Sequence, residues 1–373
     1  MGKEGIYMKR FFAGLLALIM LLGCTACSSE ETTPETNPTP TPTDTPVPTP
    51  TETQSPEDTQ NKTAYPLTLS VYFYGGTLVE QTYDAVPERV IAYGQDMIDM
   101  MVYFGLEDKI VGVCTRGKDI VAESALSEEY HDTIAALPVI SEEFWPSMEV
   151  LIAAEPDLIA TSVGGLFSSL SEVYPEPSNY NEQGINIFEI TNNASGKSVV
   201  TMDDYLNSLL AFGQLFDIQE AVNAYVDAQR TQIADYLAMN TENESLRVLA
   251  IAYNSYGGSV GWVKFPTSAM VTSILEALGA ESFAEEGVYD ISAEALLTLD
   301  PDVVLISIVQ EADFGMTLEE VTASPEIAAL DAVAEGRVYL LGNDEISYNE
   351  LYNGHFNMSD MVKLLGDTLY SIS

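Results

Sequence analysis

The sequence predicts an α/β protein with two similar lobes, each a mostly parallel sheet flanked by helices, joined by one long rigid helix. Three observations support this prediction. Short apolar segments alternate with helical patterns in both halves, whereas residues 201–240 contain neither a strand pattern nor a proline. A helix-to-strand segment also occurs twice, as SMEVLIAAEPDLIA at residues 147–160 and as SAEALLTLDPDVVLI at residues 292–306. One copy falls in each half, which indicates that the halves share a fold.

The N-terminal residues are predicted to export and tether the protein. Residues 1–23 have the pattern of a signal peptide, because a basic start precedes an apolar run shorter than the roughly 20 residues of a membrane span. The next stretch, LLGCTACSS, resembles the lipobox of bacterial lipoproteins, with Cys24 favoured as the lipid attachment site and Cys27 as the alternative. Residues 24–64 are rich in Thr and Pro, a composition typical of an extended, disordered tether.

The N-terminal lobe, predicted over residues 65–213, begins with two alternating strands, LTLSVYFY and TLVEQTY, around the hairpin signal Gly75-Gly76. The strand VIAY then leads into the helix QDMIDMMVYFG, whose methionines at helical spacing are typical of a core face. IVGVC, DLIAT and INIFEI are the further predicted strands of this lobe.

Two consecutive helices are predicted after the strands of the first lobe, and the second of them is the helix that joins the lobes. Thr201 can cap a helix that ends near Gly213, and Asp217 with Glu220 resembles a capping box for the next helix. The linking segment is placed at residues 214–241. Its helix of about 23 residues is a rod of roughly 35 Å, and the apolar stripe on it favours a rigid connection.

The C-terminal lobe, predicted over residues 242–373, repeats the alternation of the first. RVLAIAY, DVVLIS and RVYLL are its predicted strands, and SAMVTSILEALGA and NMSDMVKLLGDTLYSI are predicted helices. The repeated segment therefore has an equivalent place in both lobes.

Each copy of the repeated segment begins a helix with a serine and places a glutamate in the first turn. Ser147 and Ser292 are natural N-caps, and Glu149 and Glu294 follow two residues later. A first-turn glutamate gains about 0.3–1 kcal/mol from the helix dipole, which is one interpretation of the pattern. The other interpretation is that Glu149 and Glu294 form a matched pair of anionic contacts for a basic partner.

The order and spacing of these motifs resemble one family over the whole of residues 65–373. The motifs are the P-E-R-V start after a short hairpin, VGV, the segment ending in E-P-D-L-I-A, the linking helix, and the second segment ending in D-P-D-V-V-L. The family is that of the substrate-binding lipoproteins of ABC importers for iron–siderophore, haem and cobalamin-type ligands. The resemblance implies a class III periplasmic-binding-protein fold that holds a bulky metal chelate between its lobes. It also implies that Glu149 and Glu294 dock onto arginines of a two-fold symmetric permease dimer.

In such a fold the ligand is expected between the lobes, at loops that follow the carboxyl ends of the strands. The candidate ligand-binding residues on these loops are aromatic, amide or basic: Tyr93, Gln95, Arg116, Lys118, Trp145, Phe167, Asn254, Tyr256, Trp262, Lys264, Tyr289 and Tyr348. The aromatic side chains suit a large flat or macrocyclic ligand, and Arg116 and Lys118 suit an anionic group on it.

Charge and motif content argue against several other functions. A formal net charge of −43 disfavours nucleic acid as a partner and disfavours a basic membrane-binding face. The two histidines, His131 and His355, lie in different halves, and no protein metal site or cofactor is predicted. The lobes carry no nucleophile or acid–base motif, so an enzyme is not expected.

The prediction is therefore a monomeric binding protein that is lipid-anchored outside the cytoplasm. The acidic composition and the tether favour a Gram-positive cell surface. A surface-anchored sensor or adhesin with the same fold is the alternative, and an exported enzyme is the less favoured one.

Overall fold

The computed structural model describes most of the chain beyond the predicted tether. The described residues are 62–73, 77–115, 117, 119–143, 146–162, 177–191, 198–239, 245–254, 261–285, 291–308, 318–341, 351 and 356–370. They all lie within one compact unit, residues 55–373. The predicted signal peptide, Cys24 and Cys27, and nearly all of the predicted tether lie outside the described residues.

A β-hairpin opens the folded part of the chain, as the alternating pattern predicted. Strands β1 (Leu67–Phe73) and β2 (Thr77–Tyr83) pair antiparallel. The hairpin packs against the first lobe, where the buried Tyr83 hydroxyl donates a hydrogen bond of 2.6 Å to the carbonyl of Ile187. Burial raises the pKa of Tyr83, so this hydroxyl keeps its proton. The Gly75-Gly76 turn lies outside the described residues.

The first lobe contains a five-stranded sheet in the order β5-β4-β3-β6-β7, and every neighbouring pair in it is parallel. Its strands are β3 (Val90–Tyr93), β4 (Ile110–Cys114), β5 (Val139–Ser141), β6 (Leu158–Thr161) and β7 (Asn186–Glu189). Its helices are α1 (Gln95–Tyr103), α2 (His131–Ala135), α3 (Met148–Ala153) and α4 (Pro177–Asn181), with 3₁₀ turns at Glu107–Lys109 and Glu128–Tyr130. Strands β3 and β6 are buried along their whole length, which explains their continuous apolar sequences.

The predicted methionine stripe is the face of helix α1 that packs against the sheet. Met97, Met100 and Met101 are fully buried in the hydrophobic core. The interpretation of this stripe as core is therefore confirmed.

The second lobe has the same strand order around its first strand. Its strands are β8 (Arg247–Asn254), β9 (Gly261–Lys264), β10 (Glu281–Ser282), β11 (Val303–Ile308) and β12 (Val338–Leu341). Its helices are α7 (Met270–Ala277), α8 (Ala293–Leu299), α9 (Leu318–Thr322), α10 (Pro325–Ala328) and α11 (Asp331–Ala334). The parallel path β10-β8-β11-β12 matches β4-β3-β6-β7 of the first lobe. The prediction of two similar α/β lobes is confirmed; the domain boundaries remain predictions.

Helices α5 (Met202–Leu215) and α6 (Gln219–Met239) connect the lobes. Thr201 and Asp204 form the capping box of α5, so the predicted cap is confirmed. The capping box predicted for α6 is wrong. Since α6 begins at Gln219, the cap position belongs to Ile218, whose carbonyl accepts the N–H of Val222 at 3.1 Å. Asp217 has a left-handed φ of 58°, and its carboxylate accepts the N–H of Thr63 at 2.7 Å.

Helix α6 spans 21 residues, about 31 Å, and packs closely against both of its helical neighbours. A Cβ on Gly213 of α5 would lie 2.9 Å from Cβ of Val222, so only glycine permits this approach. On the other side, Gly366 of α12 (Met358–Tyr370) allows the same proximity to the Tyr236 ring. These contacts support the predicted rigidity of the linking helix.

An aromatic cluster joins the end of α1, helix α6 and the segment before α12. Tyr225 stacks on Phe356 with ring centroids 4.8 Å apart and planes at 8°, and its hydroxyl donates to the Phe356 carbonyl at 2.8 Å. Tyr103 and Phe104 contact the same pair edge-on. Residues from both lobes therefore pack on the linking helix. Within the described part of the chain, no helix has the length and apolar character that a membrane span requires.

Candidate functional site

The two copies of the repeated segment adopt the same local structure. Helix α3 begins after Ser147, whose Oγ accepts the N–H of Val150 at 3.4 Å. Helix α8 begins after Ser292, whose Oγ accepts the N–H of Ala295 at 3.2 Å. Both serines are therefore N-caps, as their positions in the sequence predicted.

Glu149 and Glu294 are each the second residue of their helix, and both side chains are exposed. Each helix leads into the start of a central parallel strand, β6 or β11. A helix in such a unit runs antiparallel to the strands, so its N-terminus lies toward the carboxyl edge of the sheet, where α/β proteins bind ligands. The geometry agrees with either interpretation of the glutamates, and their docking role remains a prediction.

The ends of the two helices also match. Glu155 and Asp300 both have a left-handed backbone, with φ of 49° and 47°, and a buried proline follows each. A left-handed backbone costs a residue other than glycine roughly 1–2 kcal/mol. Its occurrence at the same position of both copies therefore shows that the two helices end in the same way.

In the first lobe, the aspartate of the repeated segment holds the start of strand β3. Asp157 accepts the backbone N–H of Glu88 at 2.8 Å through Oδ2 and that of Arg89 at 3.0 Å through Oδ1. The Arg89 guanidinium donates to the carbonyls of Ala154 and Glu155 at the end of α3, at 2.8 Å and 2.6 Å. Helix, turn and strand are thereby tied together.

In the second lobe, Asp302 holds the start of strand β8 in the same way. Its Oδ2 accepts the backbone N–H of Arg247 at 2.8 Å, and the guanidinium lies 3.2 Å from Oδ1 and 3.3 Å from the carboxylate of Asp300. Hydrogen bonds from the Arg247 backbone and side chain hold the pKa of Asp302 below its usual range.

Arg89 and Arg247 were not recognised from the sequence as part of the repeated unit. The available signal was an Arg-Val pair at the start of the first sheet strand in each lobe, Arg89-Val90 and Arg247-Val248.

The predicted ligand-binding residues are only partly described. Arg116, Lys118, Trp145, Phe167, Tyr256, Tyr289 and Tyr348, and the side chain of Asn254, lie outside the described structure. The backbone of Asn254 ends strand β8. Tyr93 ends strand β3 with its side chain fully buried in the core, so a packing role accounts for it in this structure.

Gln95, at the start of α1, links that helix to the segment after the loop that was predicted to carry Arg116 and Lys118. Its Nε2 donates to Asp99 Oδ1 at 2.8 Å and to the Ile120 carbonyl at 3.0 Å. The buried Asp99 also accepts the Ser124 hydroxyl and the Ala125 N–H, both at 2.8 Å. Asp99 therefore positions the segment beyond the loop, a role that the sequence did not reveal.

The expected loop placement of Trp262 and Lys264 is wrong. Both lie on strand β9, which pairs antiparallel with the second half of β8. Trp262 is 5% exposed and packs edge-on against Tyr253, with centroids 5.1 Å apart. Lys264 is 3% exposed, and its Nζ lies 3.2 Å from the carboxylate of Glu285. Pairing with β8 buries both side chains; whether they contact a ligand remains a prediction.

Among the residues whose structure is described, no group of three or more His, Cys, Asp or Glu side chains is arranged to hold a metal ion. Cys114, at the end of β4, is buried and unbridged, and burial raises its pKa to about 12. Its thiol therefore stays protonated at neutral pH.

Two lobes with mostly parallel sheets, each carrying the same capped helix, form a bilobal α/β protein on a helical connection. The chain belongs to the periplasmic binding protein family, whose model matches residues 90–345. Membership implies an extracytoplasmic location and a role in solute binding for transport.

Several solved structures share the fold of this chain. A periplasmic binding protein from Veillonella parvula has a TM-score of 0.67 at 20% identity, covering 83% of this chain and 93% of that one. An ABC-type Fe³⁺-hydroxamate transport system from Saccharomonospora viridis has a TM-score of 0.65 at 22% identity, covering 82% and 100%. A periplasmic heme binding protein from Pseudomonas aeruginosa has a TM-score of 0.55 at 19% identity, covering 77% and 94%. At these identities the likeness establishes the fold alone, and no curated protein sequence matches significantly.

Proposed function

We propose that this protein captures a bulky metal chelate between its lobes and delivers it to the permease dimer of an ABC importer. An iron–siderophore complex is the favoured ligand, with cobalamin and haem as the other members of the class. The protein would act as a monomer without catalysis, anchored by a lipid on Cys24 or Cys27 and held off a Gram-positive membrane by the Thr/Pro-rich tether. Family membership and the Fe³⁺-hydroxamate system among the similar structures support this proposal.

One observation carries the docking part of the proposal. An exposed glutamate occupies the second position of a serine-capped helix at equivalent points of both lobes. A two-fold symmetric partner needs the same contact twice, which a duplicated lobe supplies. Because the chain has a net charge of −43, a basic partner surface would also be attracted at long range.

The ligand part rests on the arrangement of the sheets. The predicted ligand residues Gln95 and Asn254 lie directly after β3 and at the carboxyl end of β8, at the edge where α/β folds bind ligands. The close packing of α6 favours a cleft that changes little on binding, so affinity would come from a preformed site.

Charge reversal tests docking separately from ligand binding. The double variant Glu149→Lys/Glu294→Lys should abolish uptake by cells while the thermal shift caused by the ligand stays unchanged. The matched control, Glu182→Lys/Glu276→Lys, places the same charge change on one exposed site of each lobe and should transport normally. Uptake that survives the first variant, or a loss of ligand binding in it, would contradict the docking role.

A thermal-shift panel of iron(III)-hydroxamate, haem and cobalamin tests the ligand class. A chelate at 100 times its Kd stabilises the folded state by about 2.7 kcal/mol, which is a readily measured shift. If no chelate in the panel stabilises the protein, the metal-chelate assignment is wrong, and a sensor or adhesin becomes the better interpretation.

A further inference from the structure

Helices α3 and α8 each expose a large apolar side chain close to their glutamate. Val150 directly follows Glu149, and 36% of its surface is exposed. Leu297 lies three residues after Glu294, and 48% of its surface is exposed. Residues three positions apart are neighbours on a helix surface, so Leu297 lies beside Glu294. Each helix therefore presents an exposed apolar group next to an exposed carboxylate.

Small or apolar groups also occupy the next turn of each exposed face. Ala153 is exposed four residues after Glu149 and three after Val150, so it is a helical neighbour of both. The exposed Thr298 has the same place relative to Glu294 in α8. Its hydroxyl donates to a backbone carbonyl of the same helix at 2.8 Å, so its proton already has an acceptor. The exposed surface near each glutamate is therefore small or apolar along its own helix.

The two glutamates are also without a charged partner in the part of the chain that the structure describes. Each is the sole charged residue of its helix, MEVLIA or AEALLTL. Within the described ranges neither carboxylate forms an ion pair or a hydrogen bond. Other exposed acids do pair, as Glu88 does with Lys109 at 2.8 Å. Glu149 and Glu294 are therefore available to an external basic group.

We propose that these two faces are docking patches that combine one ion pair with apolar contacts. The patch of the first lobe consists of Glu149, Val150 and Ala153, and that of the second lobe of Glu294, Leu297 and Thr298. The partner would be a protein surface that presents, twice, a basic side chain beside an apolar area. This inference rests on the proposed docking to a permease dimer and specifies the surface that the dimer must offer.

Charge alone does not mark a docking site on this protein. The chain carries 57 acidic side chains and a net charge of −43, so a basic partner is attracted to much of its surface. Apolar contacts act only where two surfaces touch, and they exclude water from the ion pair that they flank. Val150 and Leu297 would therefore select the correct region, while the acidic surface mainly speeds the approach.

The charge on the patches argues against a second copy of this chain as the occupant. Two copies that met through these faces would bring carboxylates of like charge together, which is unfavourable. A basic partner avoids this cost, because it neutralises each carboxylate as the contact removes it from water.

Photo-cross-linking in intact cells tests the patches on the full chain. A benzoylphenylalanine placed at Ala153 or at Thr298 should form an adduct with a membrane protein, the same one from both lobes. Val150→Ser/Leu297→Ser should lower the adduct yield by roughly tenfold, the change expected when apolar anchors of an interface are truncated. Because both side chains are exposed, the Tm of this variant should match that of the wild type.

The matched control is Leu78→Ser/Val139→Ser, which removes a leucine and a valine that are exposed on β2 and β5. This control should give the wild-type adduct yield. The inference is overturned if the control loses as much adduct as Val150→Ser/Leu297→Ser, or if that variant keeps the full yield. It is also overturned if no adduct forms, or if the adduct contains a second copy of the chain.

Charge reversal separates this inference from the proposed function. If Glu149→Lys/Glu294→Lys abolishes uptake and adduct while Val150→Ser/Leu297→Ser leaves both unchanged, the docking function stands and the apolar contacts are excluded. If the adduct persists in Glu149→Lys/Glu294→Lys, docking through the glutamates is itself wrong, and the proposed ion pair falls with it.

Discussion

The carboxylate of Asp302 accepts the backbone N–H of Arg247 at 2.8 Å, at the point where the first strand of the second lobe begins. Asp157 holds Arg89 of the first lobe in the equivalent way, at 3.0 Å. The repeated segment is therefore a structural unit in which a capped helix, a left-handed turn and an aspartate start two neighbouring strands in register. Its glutamates are presented on a support that is the same in both lobes.

Removing the Asp302 carboxylate should destabilise the second lobe. Asp302→Ala leaves the Arg247 N–H without its acceptor, and we expect a loss of about 1 kcal/mol in the free energy of unfolding. Because the folded-state pKa of Asp302 lies below the ordinary 3.8, its contribution is present above that pH and is lost as pH falls further. Urea unfolding between pH 3 and pH 7 measures both effects, and Asp302→Ala should show a smaller loss at acid pH than wild type.

Gly213→Ala should destabilise the linking helices although alanine is the better helix former by about 1 kcal/mol. The new Cβ would lie 2.9 Å from Cβ of Val222, and such overpacking typically costs about 1–3 kcal/mol. The substitution should cost less in a Val222→Gly background, because that variant removes the Cβ that the new methyl group would meet. A double-mutant cycle by chemical denaturation measures this coupling, and a stabilising Gly213→Ala would show that the helices are not closely packed there.

Lys264→Met tests whether the buried lysine is structural or contacts ligand. The ammonium is buried and pairs with an exposed carboxylate, so a methionine of similar length should leave stability within about 1 kcal/mol of wild type or raise it. Glu285→Gln should be the more damaging change, because it leaves the buried charge unpaired. If Lys264→Met keeps its stability but loses chelate binding in the thermal-shift panel, the ligand role predicted from the sequence is supported.

Glu189, the buried acid at the end of β7, should make the protein less stable as pH rises. Since the folded-state pKa of Glu189 is raised, the folded state binds more protons than the unfolded state above pH 4.5, the ordinary value. Its stabilising contribution is full below that pH and falls above it, by at most about 1.4 kcal/mol per pH unit. Glu189→Gln should remove this slope. Unfolding curves from pH 4 to pH 8 compare the two proteins, and equal slopes would place Glu189 in contact with solvent.

Structural features formed by residues that are close together in the sequence could be predicted from it. The Thr201 capping box involves residues three positions apart, and the methionine stripe of α1 follows from helical periodicity, so both are readable locally. The Asp302–Arg247 and Asp157–Arg89 contacts join residues 55 and 68 positions apart. They depend on which strands become neighbours, and a local pattern does not carry that information.

The incorrect predictions have the same cause, because they also depend on the three-dimensional arrangement of the strands and turns. GWVK is a four-residue strand that follows a glycine-rich stretch, and only its pairing with β8 shows that Trp262 and Lys264 face inward. The expected cap at Asp217 was misplaced by one residue, because the left-handed turn there shifts the helix start to Gln219.

The packing of α6 against α12 has a consequence for how an exported chain matures. Helix α6 is synthesised before the second lobe, but helix α12, which packs against it, is made only after the rest of that lobe. Until then, Tyr236 of α6 lacks its contact with Gly366, and Tyr225 lacks its contact with the Phe356 ring. The packing that holds the linking helix therefore cannot be complete until the C-terminal helix has been made.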